Sequence, residues 1–325
     1  MRLNRGHAII SLVKVSELGE FGLIALLARM INSSPGSQAS QQKLIIGIGD
    51  DAAAWKGDES TQLATVDSFI QDVHFSLAMT SWEELGWKAL AASLSDIAAM
   101  GGVPRYALIA LALPDHTEVE EVTALYKGMI ELAEQFRVAL VGGDTCSAPL
   151  VAITITVLGN IENRLNLLTR SGAKPGDKVA VTGYLGAAAA GLEMLTEKLQ
   201  FGTEVTNCLG KAFLHPYPRI AEGQLLAEQG AKTAIDISDG LILDLSHICE
   251  LSGVGARIEI DRVPVEPMVK ASFGDRSLEL ALSGGEDYEL LFTARAETIE
   301  KVKMAVSCPV TVIGEIVADD GRKIT

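Results

Sequence analysis

The sequence lacks the features that mark several common classes of protein. It contains four cysteines in 325 residues, with no C-x-x-C pair and no histidine cluster beside them, so we expect reduced thiols rather than a zinc site. No apolar run approaches the ~20 residues of a membrane span. The N-terminal apolar run from Ala8 to Val13 is too short for a secretion signal. We therefore expect a cytoplasmic protein without a membrane partner.

Basic residues are scarce relative to acidic ones. The 27 Lys and Arg residues against 42 Asp and Glu residues leave a formal net charge of -15. A nucleic-acid or anionic-membrane partner is therefore not expected, because each requires a basic surface that displaces counterions. An acidic protein that handles phosphate needs cations to do so.

The common nucleotide-binding signatures are missing as well. The sequence has no G-x-x-x-x-G-K-[ST] run, no dinucleotide fingerprint and no kinase-type H-R-D or D-F-G signature. A nucleotide would have to be bound by another scaffold.

Strand and helix patterns alternate along the chain, which predicts an α/β fold of the α+β type with mixed sheets. The length and the hydrophobic content of 48% indicate two domains. The best boundary is the Asn-, Arg-, Gly- and Pro-containing stretch 160–176, so we predict an N-terminal domain at 1–160 and a C-terminal domain at 161–325. The predicted strands lie at residues 44–48, 62–68, 106–113, 139–141, 151–159, 178–182, 257–260, 288–293 and 310–316. The predicted helices lie at residues 21–31, 82–100, 118–137, 187–199, 220–229 and 241–251.

Acidic residues recur where apolar runs end. Carboxylates gathered from several loops repel one another unless a hard cation lies between them, and oxygen ligands alone suit Mg²⁺, Mn²⁺ or Ca²⁺ better than zinc. The pattern therefore predicts a metal site that handles phosphate. The segments are Gly49-Asp50-Asp51, Thr65-Val66-Asp67, Leu94-Ser95-Asp96, Gly142-Gly143-Asp144, Asp236-Ile237-Ser238-Asp239 and Gly284-Gly285-Glu286.

Each acidic motif also has a purely structural interpretation. Paired aspartates after a glycine are common in turns, and Asp236, Ser238 or Asp239 is suited to capping the helix that follows. Asp96 lies in an apolar helical run, where an unpaired carboxylate is costly, so it needs a salt bridge, a helix-end hydrogen bond or a shared metal. The two-residue period of a strand places Thr65 and Asp67 on one face, which favours the metal.

Several other residues are candidates for contacts with a ligand. The glycines before Asp144 expose backbone amides that a phosphate can approach closely. Arg170 has the fork geometry for an ATP phosphate, although it is as well explained as an ordinary surface residue. His74 suits an anionic substrate, but a lone histidine is more often structural. Glu286 is placed to face a ligand, whereas we expect Glu289 to be solvated.

Six motifs share an order and a spacing that resemble those of the thiamine-monophosphate kinases, a family within the aminoimidazole-ribonucleotide-synthetase-like superfamily. These are Gly47-Ile48-Gly49-Asp50-Asp51-Ala52, the segment from Leu94 to Gly101, Gly142-Gly143-Asp144-Thr145, the segment from Leu168 to Asp177, Asp236-Ile237-Ser238-Asp239-Gly240-Leu241 and the segment from Ser283 to Leu290. The resemblance runs from about Glu17 to Ile316, and the last two motifs are the most specific to the family. One departure is Val66, where family members often carry a second hydroxyl residue.

The resemblance implies a homodimer of two-domain subunits, with the N-domain sheet joining that of the dimer mate. It also implies Mg²⁺-assisted transfer of phosphate from ATP to thiamine phosphate, in thiamine diphosphate biosynthesis. The implied metal-binding positions are Asp50, Asp51, Thr65, Asp67, Asp96, Asp144, Asp236 and Asp239. The implied nucleotide contacts are Gly143, Asp144, Arg170 and Ser238. The implied contacts with thiamine phosphate are His74 and Glu286.

Direct in-line transfer is the mechanism that this residue set favours. A phosphate monoester oxygen is already largely deprotonated at neutral pH, so neither a general base nor a covalent nucleophile is expected. Bound metals would neutralise charge and align donor and acceptor. Other superfamily synthetases, a metal-dependent phosphatase and a nucleotide-binding regulator without turnover are the alternatives.

Overall fold

The computed structural model describes residues 14–18, 20–33, 44–46, 54–55, 60–162, 167–318 and 324–325. Asp50 and Asp51, two of the predicted metal ligands, lie outside the described residues. The described α-helices are α1 (Val15–Leu18), α2 (Glu20–Ser33), α3 (Trp82–Ala99), α4 (Val119–Phe136), α5 (Ala187–Thr196), α6 (Thr203–Leu214), α7 (Ile220–Glu228), α8 (Leu241–Ser252), α9 (Pro267–Phe273), α10 (Ser277–Ser283) and α11 (Ala296–Ala305). The described strands are β1 (Leu44–Ile46), β2 (Ala54–Trp55), β3 (Thr61–Ile70), β4 (Val103–Leu113), β5 (Ala139–Ser147), β6 (Ala152–Ile161), β7 (Lys178–Thr182), β8 (Thr233–Asp236), β9 (Val254–Ile258), β10 (Leu290–Ala294) and β11 (Val310–Ala318).

The first half contains a four-stranded sheet in the order β3-β6-β4-β5. Strand β6 is antiparallel to β3 and β4, whereas β4 and β5 are parallel, so this sheet is mixed as predicted. Burial alternates along β3 and β6, because one face lies beneath α3 and the other remains exposed. The buried face places side chains of β3 against α3, where the candidate site lies.

Helix α3 is held in place by two close contacts with α4. It begins at its predicted position, with a capping box in which the Ser81 hydroxyl accepts from the Glu84 N–H and the Glu84 carboxylate accepts from the Ser81 N–H. A Cβ on Gly86 would lie 1.9 Å from a backbone oxygen of α4, and a Cβ on Gly128 would lie 1.9 Å from a backbone oxygen of α3. Only glycine permits this approach, so the rotation of α3 is fixed by its packing.

The second half contains a five-stranded sheet in the order β8-β10-β7-β11-β9, in which all neighbouring strands are antiparallel. Both faces of this sheet are covered. Leu241 of α8 and Ala281 of α10 belong to the core on one face. On the other face, Phe292 of β10 belongs to the same cluster as Leu94 of α3 and Ile220 of α7. The two halves therefore share a continuous core around α3.

Helix α3 also contacts the second half directly. The Trp87 indole N–H donates to the Pro216 carbonyl at 2.8 Å. A Cβ on Gly223 of α7 would lie 2.0 Å from the Ala98 carbonyl oxygen, so α7 rests on the backbone of α3. Residues on α3 can therefore meet residues of both halves.

Most predicted elements are present with shifted ends, and β7 has its predicted bounds. The prediction missed the strands β2 and β8 and the helices α1, α6, α9, α10 and α11. It also ended β5 too early, because the Gly142-Gly143-Asp144 motif lies within the strand. A Cβ on Gly143 would lie 1.8 Å from the Ile109 carbonyl oxygen, so the glycine permits close pairing with β4. The domain limits 1–160 and 161–325 stay a prediction.

No helix within the described part of the chain is both long and apolar enough to cross a membrane.

Candidate active site

Strand β3 and helix α3 bring three of the predicted metal ligands together. Thr65 and Asp67 alternate with the exposed Val66, so both face α3 as predicted. The Thr65 hydroxyl donates a hydrogen bond to Asp96 Oδ2 at 2.5 Å, near the C-terminal end of α3. This hydroxyl supplies the hydrogen bond that Asp96 needed, but it brings no positive charge.

Asp67 carries negative charge that its surroundings do not offset. Burial raises the pKa of Asp67, and the charge of Asp96 raises it further. The Ser93 hydroxyl lies near enough to lower that pKa, yet Asp67 Oδ2 is buried and has no hydrogen bond of normal geometry to any described residue. A buried carboxylate oxygen without a partner, beside a second carboxylate, is a position suited to a cation.

Strand β8 contributes a third carboxylate from the second half. Asp236 is its last residue, is 2% exposed and accepts a hydrogen bond from the Ser95 hydroxyl at 2.7 Å. Burial, followed by the charge of Asp96, raises the pKa of Asp236 to about 7. The Ser95 hydrogen bond and the positive charge of Arg170 offset this only in part. Ser95 and Asp96, which are adjacent on α3, thus bond to residues of both sheets: Asp96 to Thr65 of β3, and Ser95 to Asp236 of β8.

The turn after β8 is organised by a residue that the sequence did not indicate. Asp244, in the first turn of α8, accepts hydrogen bonds from the N–H groups of Ser238, Asp239 and Gly240, each at 3.1 Å. Asp244 therefore holds the turn that precedes α8, whereas no side chain forms a capping hydrogen bond at the start of the helix, so Asp236, Ser238 and Asp239 do not take the capping role that the sequence left open. Burial raises the pKa of Asp244 to about 6. The exposed side chain of Asp239 is not used as a cap.

Glu286 lies beside this turn, on the loop before β10. Its N–H donates to the Ser238 carbonyl at 2.8 Å, and its φ is 69°. A Cβ on Gly285 would lie 2.4 Å from the same carbonyl oxygen, so only glycine allows the two loops to approach this closely. The Glu286 carboxylate forms an ion pair with Lys88 Nζ of α3 at 2.9 Å. Glu286 also lines a groove of about 410 Å³ beside α5.

Tyr288 lies among these carboxylates. Its side chain is 6% exposed. Burial raises the pKa of its hydroxyl well above the usual value, and the charges of Glu286, Asp236, Asp67 and Asp96 raise it further. All four carboxylates are therefore near enough to one buried phenol to act on it electrostatically.

Asp144 and Gly143 do not join this group within one chain. Asp144 pairs with Ala110, which pairs with Thr154, and Thr154 pairs with Ser68 of β3. This row of residues belongs to the exposed face of the first sheet and crosses three strand spacings, about 14 Å. Both residues stay predictions as metal or nucleotide contacts.

Arg170 and His74 are both exposed. The Arg170 charge lowers the pKa of Asp236, which places its guanidinium on the side of the site that faces β8. His74 lies in the turn after β3, where Nδ1 accepts from the Ile70 N–H at 3.2 Å and the ring lies 6.1 Å from the Phe69 ring. The roles assigned to Arg170 and His74 stay predictions.

The expected solvation of Glu289 is wrong. Glu289 is 7% exposed and accepts two hydrogen bonds from the Arg219 guanidinium and one from the Thr182 hydroxyl. Its partners come from distant parts of the chain, so the local sequence gave no sign of them. Lys88 was missed too, although it stands eight residues before Asp96 and therefore on the same side of α3.

Among the residues that the structure describes, no group of three or more His, Cys, Asp or Glu side chains is arranged to hold a metal ion. Asp50 and Asp51 lie outside those residues. The set of metal ligands therefore stays a prediction.

Two domain models match the chain and define its class. Residues 49–161 match the N-terminal domain of AIR synthase related proteins, and residues 174–325 match the C-terminal domain. The fold with two sheets joined around α3 is the AIR synthase related fold, as the sequence predicted.

Individual relatives narrow this class to one family. The thiamine-monophosphate kinase of Bacillus subtilis (strain 168) is 40% identical over 278 residues, which cover 83% of this chain and 85% of the relative. The crystal structure of thiamine-monophosphate kinase from Stenotrophomonas maltophilia K279a has a TM-score of 0.82 at 33% identity and covers 91% of this chain and 95% of that chain. The structure of AaThiL complexed with AMPPCP and TMP has a TM-score of 0.74 at 30% identity and covers 100% of this chain and 94% of that chain. The chain belongs to the thiamine-monophosphate kinase family.

Proposed function

We propose that the chain transfers the γ-phosphoryl group of ATP to thiamine phosphate, giving ADP and thiamine diphosphate. The observation that carries this proposal is the placement of Asp67, Asp96 and Asp236 around α3, with Asp96 near enough for its charge to act on the other two, in a chain of this family. The AaThiL complex supports the same pair of substrates, because AMPPCP is an analogue of ATP. The reaction belongs to thiamine diphosphate biosynthesis, and the cytoplasmic location stays a prediction.

The residues present fit Mg²⁺. Asp67 has a buried oxygen without a partner among the described residues, and burial, followed by the negative charge of Asp96, raises the pKa values of Asp67 and Asp236. Oxygen donors of this kind suit a hard cation. When bound, Mg²⁺ would neutralise negative charge on the phosphoryl oxygens. The proposed ligands are Asp50, Asp51, Thr65, Asp67, Asp96, Asp144, Asp236 and Asp239.

The chain's own side chains orient the two substrates. Arg170 lies near enough for its charge to act on Asp236, and its guanidinium suits a paired hydrogen bond to an ATP phosphate. The Ser238 hydroxyl is not used to cap α8, so it is available for the nucleotide. Glu286 and His74 are proposed contacts for thiamine phosphate. The acceptor oxygen is already deprotonated, so no side chain has to remove a proton.

We also propose that the protein is a homodimer joined through the exposed face of the first sheet. That face carries Val66, which is 60% exposed, and Ile70, which is 38% exposed. Exposed apolar side chains on a sheet face favour an interaction surface, and a second copy of the same face is its simplest complement in a two-fold dimer. Asp144 lies on this face, so dimer formation would bring it to a subunit interface.

Parallel assays with different acceptors test the proposed activity. The protein is incubated with Mg²⁺ and ATP together with thiamine, thiamine phosphate or an aminoimidazole precursor, and the phosphorylated product is identified. We expect product only with thiamine phosphate. Release of inorganic phosphate without an acceptor would instead indicate a phosphatase, and ATP binding without turnover would indicate a regulator.

A further inference from the structure

Lys88 is a buried cation paired with Glu286. Its side chain is 2% exposed, and Nζ lies 2.9 Å from Glu286 Oε1 and 3.4 Å from the centre of the Phe213 ring. Burial lowers the pKa of Lys88, and the charge of Glu286 opposes that change. Burying an ion pair seldom stabilises a fold more than apolar packing would. The pair is therefore better explained by the position of Glu286 than by stability.

The pair links the two halves of the protein at the site. Lys88 and Asp96 are eight residues apart on α3, so they lie on the same side of that helix. The packing of Gly86 against α4 fixes the rotation of α3 at the position of Lys88. A rigid helix from the first half thus holds an ammonium group against a loop of the second half.

Lys88 stands behind Glu286 and does not line the groove. The groove of about 410 Å³ is lined by Glu286 together with residues of α5 and the glycines before Glu286, including Leu192, Thr196 and Gly285. The Glu286 side chain is 28% exposed, whereas that of Lys88 is 2% exposed. A ligand in the groove can therefore contact Glu286, and Lys88 acts on such a ligand only through Glu286.

The Glu286 side chain needs an opposing charge in this setting. Its backbone is held by the hydrogen bond to the Ser238 carbonyl, and its carboxylate acts on the Tyr288 hydroxyl together with the negative charges of Asp67, Asp96 and Asp236. Like charges gathered around one buried phenol repel one another. Without the Lys88 ammonium, the Glu286 carboxylate would turn away from these charges.

We propose that Lys88 is a positioning residue that holds the Glu286 carboxylate in the orientation in which it binds thiamine phosphate. The identity of that ligand rests on the proposed function. This role predicts that the loss of Lys88 weakens the binding of thiamine phosphate and leaves the binding of ATP nearly unchanged. A general loss of stability would not produce such a difference between the two substrates.

The test compares wild type, Lys88→Met, Glu286→Gln and the double variant. We expect each single change to raise the KM for thiamine phosphate by about tenfold or more, while the KM for ATP changes by less than about threefold. Calorimetric titration with thiamine phosphate alone should show the same loss of affinity. The double variant should lose no more affinity than the weaker-binding single variant, because both substitutions disrupt the same Lys88–Glu286 pair.

Two further variants complete the design. Lys127→Met removes an exposed partner of Glu83 and should leave both KM values unchanged. Lys88→Arg keeps the positive charge and should recover part of the affinity for thiamine phosphate that Lys88→Met loses. If Lys88→Met fails to fold, Lys88→Gln takes its place among the single and double variants. The proposal is overturned if loss of the ammonium leaves the KM for thiamine phosphate within twofold of wild type, or if the losses multiply in the double variant. Absence of thiamine diphosphate formation by wild type would instead refute the proposed function.

Discussion

Asp96 and Asp236 each accept a hydrogen bond from a hydroxyl group that does not neutralise their charge. The Thr65 hydroxyl bonds to Asp96 itself, and the neighbouring Ser95 hydroxyl bonds to Asp236. Hydroxyl groups satisfy hydrogen-bonding capacity but leave the charge in place. Asp96 therefore raises the pKa values of Asp67 and Asp236, and this excess charge is the feature that a metal–phosphate complex would require.

Replacing Asp96 with asparagine tests whether that charge is needed. Asp96→Asn keeps nearly the same volume, so the fold should persist, but kcat should fall by roughly 100-fold. Asp261→Asn changes an exposed aspartate on the surface and serves as the control. Circular dichroism would verify the fold, and steady-state kinetics at saturating Mg²⁺ would measure kcat. A near-normal kcat for Asp96→Asn would contradict its proposed part in metal binding.

The raised pKa of Asp236, about 7, predicts how Mg²⁺ binding depends on pH. The folded protein holds this proton more tightly than the unfolded chain, so without metal the contribution to stability is present at low pH and is lost as pH rises from about 4 through about 7. Mg²⁺ competes with the same proton. We therefore expect Mg²⁺ to raise the melting temperature more at pH 8 than at pH 6.

The control for this measurement is Asp236→Asn, which removes the titrating group. Its Mg²⁺-induced change in melting temperature should be smaller and less dependent on pH. A wild-type response to Mg²⁺ that is equal at the two pH values would refute the link between this carboxyl group and the metal.

Helix α3 is the element on which the site is built. Its start at a capping box and its end before Gly101-Gly102 could be predicted, because both signals are local. Its contact with both halves could not be predicted in this way. The glycines at 86, 128 and 223 give no local sign that a backbone oxygen lies against each of them.

Gly128→Ala tests the packing that fixes α3. The added Cβ would meet the Glu83 carbonyl oxygen at 1.9 Å, and backbone cannot yield as a side chain can. We expect a loss of about 2 kcal/mol in the free energy of unfolding, together with reduced turnover. Chemical denaturation would measure the loss of stability.

Gly210→Ala is the matched control, because Gly210 lies within α6 and has no atom within 4 Å of its added Cβ. It should gain about 0.5–1 kcal/mol through the helix propensity of alanine. Equal effects of the two substitutions would show that the close contact between α3 and α4 is unimportant.

For the molecule as a whole, the order of the motifs carried more information than any single motif. Each acidic motif alone could be explained as a turn or a cap, and the turn after β8 is held by a side chain outside the motif, that of Asp244. Their shared order identified the family and the fold. Partners that meet only after folding, such as Lys88 with Glu286 and Arg219 with Glu289, could not be predicted because no local spacing relates them.

The proposed dimer predicts that one exposed valine matters for assembly. Val66→Lys places a charge on the exposed face of the first sheet, where burial of an unpaired lysine would be costly. Sedimentation velocity should show a change from dimer to monomer. Met304→Lys on α11 changes a side chain that is 81% exposed and should leave the mass unchanged. A wild-type protein that sediments as a monomer, or a dimer that survives Val66→Lys, would rule out this interface.

The central claim is that phosphate passes directly from ATP to thiamine phosphate. The most direct measurement is a single turnover with γ-labelled ATP, Mg²⁺ and thiamine phosphate, in which product and protein are separated at each time point. We expect the label to appear in thiamine diphosphate at the rate at which it leaves ATP, with none bound covalently to protein. A labelled protein formed and consumed fast enough to be an intermediate, or label found only in inorganic phosphate, would contradict it.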